Sequence, residues 1–116
     1  MNIVLPYPPT VNTYWRKFNN RMVISAKGRQ YRKDVMQQLD GCETLHGRLS
    51  VTIIATMPDR RKRDLDNILK SLLDSLDHAG VFDDDEQIDE LHVLRAGVEK
   101  PGNVAISLVE IEGNND

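Results

Sequence analysis

Three features of the sequence predict an α+β fold, with helices packed on one mixed sheet in two layers. Residues 49–57 alternate apolar and polar side chains, as a half-buried strand does. Residues 27–40 and 67–79 repeat apolar side chains at helical spacing. Two β-rich runs, 88–96 and 104–111, flank the turn Lys100-Pro101-Gly102-Asn103. The predicted order is β-(β)-α-β-α-β-β, one domain over residues 1–116.

Each element has a local cause. Ile3, Val4 and Leu5 form a short β-type run that meets Pro6, Pro8 and Pro9, whose missing N–H donors keep it at an edge. Residues 13–24 read as a loose hairpin about Asn19-Asn20, with Tyr14, Trp15 and Phe18 interleaved among cations. Ser25 caps the helix over 27–40; Tyr31, Val35 and Leu39 form its apolar stripe, and Arg29, Arg32 and Lys33 share the opposite side. Gly28 weakens its first turn and Gly41 stops it. Pro58 ends the strand over 49–57. Ile68, Leu69, Leu72, Leu73 and Leu76 mark the second helix, which Gly80 stops. The tail 113–116 is expected to fray.

At 116 residues with 40% hydrophobic and 28% charged side chains, the chain is a folded globule small enough to gain from pairing with a second copy. The lone Cys42 permits no internal disulfide, and residues 1–6 lack the pattern of a signal peptide, so a reducing cytoplasm is expected. No apolar run approaches the ~20 residues of a membrane span. The net charge of −3 argues against a polyanion partner, but its distribution does not. Residues 1–63 hold twelve Lys/Arg against four Asp/Glu, and residues 64–116 hold three against fourteen. That asymmetry suits a basic surface for nucleic acid and an acidic site elsewhere; two solvated faces without a partner are the plainer reading.

The two halves meet in residues 59–70, D-R-R-K-R-D-L-D-N-I-L-K. Arg60, Arg61, Lys62 and Arg63 run into Asp64 and Asp66. In an extended entry to a helix the two carboxylates share a side. Asp66 is also a candidate N-cap, and on that reading the pair needs no metal. The helix spans about 20 Å, and residues 80–85 reach about as far when extended, so the acidic loop 83–86 can return to the helix N-terminus. Several carboxylates about one point select a hard cation, Mg²⁺ or Mn²⁺, that keeps water and accepts phosphate oxygens; an exposed solvating turn is the alternative. Calcium-loop spacing is absent, and His46, His78 and His92 show no zinc spacing. Lys70 lies on the side of Asp66 and Asn67, placed for a scissile phosphate or as an ordinary i,i+4 partner of Asp66 or Asp74.

These residues resemble the RusA family of Holliday-junction resolvases. The resemblance rests on L-P-Y-P-P-T-V-N (5–12), S-A-K-G-R-Q-Y-R (25–32), M-P-D-R-R-K-R-D-L-D-N-I-L-K (57–70) and A-G-V-F-D-D-D-E-Q (79–87). It implies a bacterial or prophage endodeoxyribonuclease that acts as a homodimer, with Mg²⁺ or Mn²⁺, cutting two strands of a four-way DNA junction symmetrically in recombination and repair. A preference for cutting before a CC dinucleotide comes with the family. The resemblance assigns the metal to Asp64, Asp66 and Asp85, with Asp85 chosen over Asp84 by spacing to Gln87, and a required lysine to Lys70. Arg16, Lys17, Arg29, Arg32, Arg60, Arg61, Lys62 and Arg63 are candidate phosphate contacts. Tyr14, Trp15 and Phe18 are candidates for stacking on bases. No small-molecule cofactor or membrane partner is expected. The rival readings are a non-catalytic DNA-binding module, a metal-regulated interaction protein and a fork- or flap-selective nuclease.

Overall fold

The computed structural model describes residues 1–111; the predicted frayed tail lies outside them. Its elements are β1 (Asn2–Pro6), α1 (Val11–Tyr14), β2 (Trp15–Phe18), β3 (Arg21–Ile24), α2 (Ala26–Gln38), β4 (Leu49–Met57), a 3-10 turn (Leu65–Ile68), α3 (Leu69–His78), a second 3-10 turn (Asp85–Gln87), β5 (Ile88–Val98) and β6 (Asn103–Glu110). The expected α+β architecture is present: a mixed four-stranded sheet ordered β1-β6-β4-β5, with α2 and α3 against one face. The predicted hairpin stands apart as a two-stranded sheet of β2 and β3.

β4 is central because its alternation is complete. Leu49, Val51, Ile53 and Ala55 are fully buried, and Ile54, the odd apolar residue, faces the open side. β6 pairs with it antiparallel and β5 parallel, with Leu49 opposite Ile88 and Met57 opposite Val98. The core is closed by Tyr31, Val35 and Leu39 of the α2 stripe and by Ile68, Leu72 and Leu76 of α3. Truncating Leu72 or Leu76 to alanine in so closed a site costs about 2–5 kcal/mol.

Ser25 caps α2 as expected, its Oγ accepting from the Gly28 N–H at 3.0 Å while its hydroxyl donates to the Thr13 carbonyl. Gly28 has a reason the sequence hid. A Cβ there would stand 2.6 Å from the Tyr14 carbonyl oxygen and 2.7 Å from Ile24 Cγ1, so the glycine lets α2 press against the root of the hairpin. Two expectations are corrected. Residues 11–14 form a short helix, so the hairpin expected over 13–24 begins at Trp15 instead. Asp66 is no N-cap: the helix begins with a 3-10 turn, Asp66 lies inside it, and Asp64 holds the cap position without a side-chain bond.

Candidate active site

β4 delivers the chain to the first group of acids. After Pro58, Asp59 folds the basic run back on itself: its Oδ1 accepts from the Arg61 N–H at 2.9 Å, and its Oδ2 from the Arg61 and Arg63 guanidiniums at 2.9 and 2.8 Å. Those two guanidiniums hold the Asp59 carboxyl far below the usual carboxylate range. Asp64 then leaves in extended conformation, and Ile68, 1% exposed, anchors the turn that carries Asp66 and Asn67. Ser71 ties this start of the helix to the proline segment by donating to the Pro9 carbonyl at 2.6 Å. The result is a cleft of about 300 Å³ in which Asp64 and Asn67 face Tyr7, Thr10, Lys62 and Arg63. Arg63 lies over the Tyr7 ring at 5.8 Å. Asp64, Asp66 and Lys70 are exposed, and no ion pair among the described residues engages them.

The second group of acids is built around Gln87, which is 7% exposed. Its Oε1 accepts from the Asp83 and Asp84 N–H groups at 2.7 and 2.9 Å; its Nε2 donates to the Leu45 and Gly47 carbonyls at 3.0 and 2.8 Å. All four hydrogen-bonding positions of the amide are thus used. Arg48 draws Glu86 and Asp89 outward, and Asp83 pairs with His46 at 2.8 Å. Asp84 and Asp85 remain, turned toward Asp77 in the last turn of α3. Asp77, Asp84 and Asp85 each present a carboxylate oxygen within 4.8 Å of the others. The Asp85 carboxyl is pushed up, first by sharing a hydrogen bond with Asp84, then by burial and by the charges of Asp84, Asp77 and Asp74. Asp84, which accepts from the Glu86 N–H and from Asp85, is pushed down. Hard oxygens that crowd and repel are a donor set for Mg²⁺ or Mn²⁺.

Within one chain the two groups do not meet. Gln87 and the Leu45–Phe82 bridge pin the acidic loop beside the start of β4, whereas Asp64 follows its end. From Asp66 to Asp77 the chain climbs about 16 Å of helix. The expectation that the loop returns to the helix N-terminus is therefore corrected: Asp85 lies beside Asp77, at the other end of α3.

The candidate DNA contacts divide. Arg16, Lys17, Arg60 and Lys62 are exposed, Arg16 stacking on Phe18 at 5.2 Å. Arg29 is exposed and donates to the Ile24 carbonyl. Arg61 and Arg63 are held by Asp59. Arg32 is turned inward, 22% exposed, with its guanidinium 2.5 Å from Asp74 and 2.7 Å from the Tyr14 hydroxyl. Tyr14 is fully buried and bonded to Asp74, so it is a core residue and not a stacking platform. Sequence reasoning missed Asp77 and the part played by Gln87. The only signal for Asp77 was that Asp74 and Asp77 fall on the polar side of an otherwise apolar helix.

A family model described as Endodeoxyribonuclease RusA matches residues 6–109. The crossover junction endodeoxyribonuclease rusA of Enterobacteria phage HK97 is 53% identical over 113 residues, covering 94% of this chain and 93% of that protein. The protein of the same name from Enterobacteria phage 82 is 37% identical over 113 residues, covering 95% and 94%. That of Escherichia coli strain K12 is 35% identical over the same length and shares.

Proposed function

The chain belongs to the RusA family of endodeoxyribonucleases, and from that premise we propose that it is a homodimeric nuclease that resolves four-way DNA junctions by paired, symmetric nicks in the cytoplasm, in recombination and repair. The observation that carries the metal-site reading is the separation of its acids. Asp64 and Asp66 stand unpaired at one end of α3, and Asp85 stands in a crowded acidic loop at the other. A second copy, related by a twofold axis, brings Asp85 of the partner subunit to Asp64 and Asp66, and the reverse. The long edge strand β5 supports such pairing: among the described strands it pairs with β4 alone, and it exposes Leu91, Leu94 and Val98.

Asp64, Asp66 and Asp85 of the partner subunit are the ligands for Mg²⁺ or Mn²⁺. Bound there, the cation supplies an acidified water and neutralises charge on the phosphate. The residues around it do the rest. Lys62 and Arg63, in the cleft with Asp64, hold the strand, and Arg63 is preset by Asp59 and Tyr7. Lys70, one turn past Asp66, places an ammonium where negative charge gathers in the transition state. Arg16, Lys17, Arg29 and Arg60 extend the phosphate track outward.

Asp66→Asn tests the reading. Nicking of labelled junctions in Mg²⁺ is expected to vanish while gel-shift binding in EDTA survives or tightens. A variant that nicks at the wild-type rate overturns the assignment.

A further inference from the structure

A second concavity opens on the other side of the helix start, where the hairpin leans toward α3. About 410 Å³ in volume, it is lined by Val11, Trp15 and Met22 together with Asn12 and Lys70. That volume falls within the range of small-molecule sites, about 300–1,000 Å³. It neighbours the Asp64 cleft along the chain: Thr10 lines one and the adjacent Val11 the other, and Asn67 lines one and Lys70, three residues on, the other.

We propose that this groove takes one nucleobase, unstacked from the strand next to the scissile phosphate, against the face of Trp15. The inference rests on the nuclease reading above and deepens it by adding a base-contacting subsite. Two observations favour a base over an apolar protein segment. The indole is held rigid rather than left adaptable: it meets Tyr14 edge-on at 5.2 Å and 75°, and Tyr14 is clamped by Asp74 and Arg32. Second, Lys70 lines the groove, and Lys17, two residues along β2 from Trp15 and so on its side of the strand, is exposed. A sugar-phosphate backbone satisfies those charges while its base fills the apolar part. Asn12, which is exposed, carries both a donor and an acceptor for a base edge.

Trp15 is the only tryptophan in the chain, so its emission reports on this groove alone. The full-length protein is titrated with a four-way junction in EDTA, and the same junctions are assayed for nicking in Mg²⁺. Emission is expected to be quenched at saturation. A junction carrying an abasic site at the same nucleotide flanking each of the two symmetric nicks is expected to leave emission unquenched. Trp15→Ala is expected to bind junctions about tenfold more weakly, and Trp15→Phe, which keeps the stacking face, to recover most of that loss. Efficient nicking by the wild type without quenching, or quenching indifferent to every flanking abasic site, overturns the base subsite and leaves the nuclease reading standing. Emission that changes with protein concentration in the absence of DNA also overturns it, in favour of a contact between copies. Absence of nicking on any junction overturns the nuclease reading and the subsite with it. The emission and abasic arms use the wild-type chain, so the test stands even if Trp15→Ala does not fold.

Discussion

If the metal ligands come from two subunits, two inactive variants restore each other. Take Asp66→Asn and Asp85→Asn, each expected to be silent alone. Losing a metal ligand forfeits several kcal/mol of charge stabilisation, which is about a thousandfold in rate. In a mixed pair, one composite site carries both substitutions and the other carries neither. Random pairing gives about half mixed dimers, each with one of two sites intact, so about a quarter of the wild-type site density returns. The two variants, separately tagged, are co-expressed and the mixed dimer is isolated through both tags. Nicking of a labelled junction in Mg²⁺ is then scored strand by strand. The mixed dimer is expected to nick one strand at nearly the wild-type rate per intact site, yet not to complete resolution, which needs both nicks. The structure sets this expectation because about 16 Å of helix separates Asp66 from Asp77, beside which Asp85 stands in the same chain. A mixed dimer as silent as its parents refutes the shared site, and means that all the ligands act within one subunit.

Gln87→Met keeps the volume of the side chain but deletes four hydrogen bonds, leaving the Asp83 and Asp84 N–H groups and the Leu45 and Gly47 carbonyls unpaired. At about 0.5–1.5 kcal/mol each, the loss of four is about 2–6 kcal/mol. It appears as a fall of roughly 8–25 °C in Tm for a domain of this size, and a fall of less than about 3 °C by circular dichroism counts against the hub. The His46 imidazole, accepting the company of Asp83, is pushed above its ordinary 6.5, first by the hydrogen bond and then by the Asp83 charge. Its pairing is complete below 6.5 and is lost as pH rises through the raised value. Asp83→Asn is expected to return the His46 titration, followed by NMR, to about 6.5; an unmoved midpoint denies the pair. Substituting Arg61 and Lys62 together by alanine is expected to weaken junction binding and make its dependence on log salt shallower by about one to two units. An unchanged slope removes both from the interface.

Much of this was legible in the sequence, for identifiable reasons. β4 was read to the residue because its alternation runs from Leu49 to Met57 and Pro58 ends it. The α2 stripe and its Ser25 cap were legible because both act through neighbours in sequence. The 3-10 entry to α3 was not, since Asp66 carries the same cap signal whether it caps or merely stands in the turn. Nor was the path of the acidic loop. Chain length allowed it to reach the helix start, and only the tertiary bonds of a buried Gln87 decide that it stops at the helix end instead. Arg32 looked like its neighbours Arg29 and Lys33, and its turn inward depends on Asp74, forty-two residues away.

The parallel pairing of β4 with β5 sets the two acidic groups at opposite ends of one chain. β4 leads toward Asp64 and Asp66, and β5 leads away from Asp84 and Asp85. On the shared-site proposal each chain is then a bar with half a socket at either end, and two bars laid antiparallel about a twofold axis complete both sockets. On that proposal the number of cuts per encounter follows from strand direction.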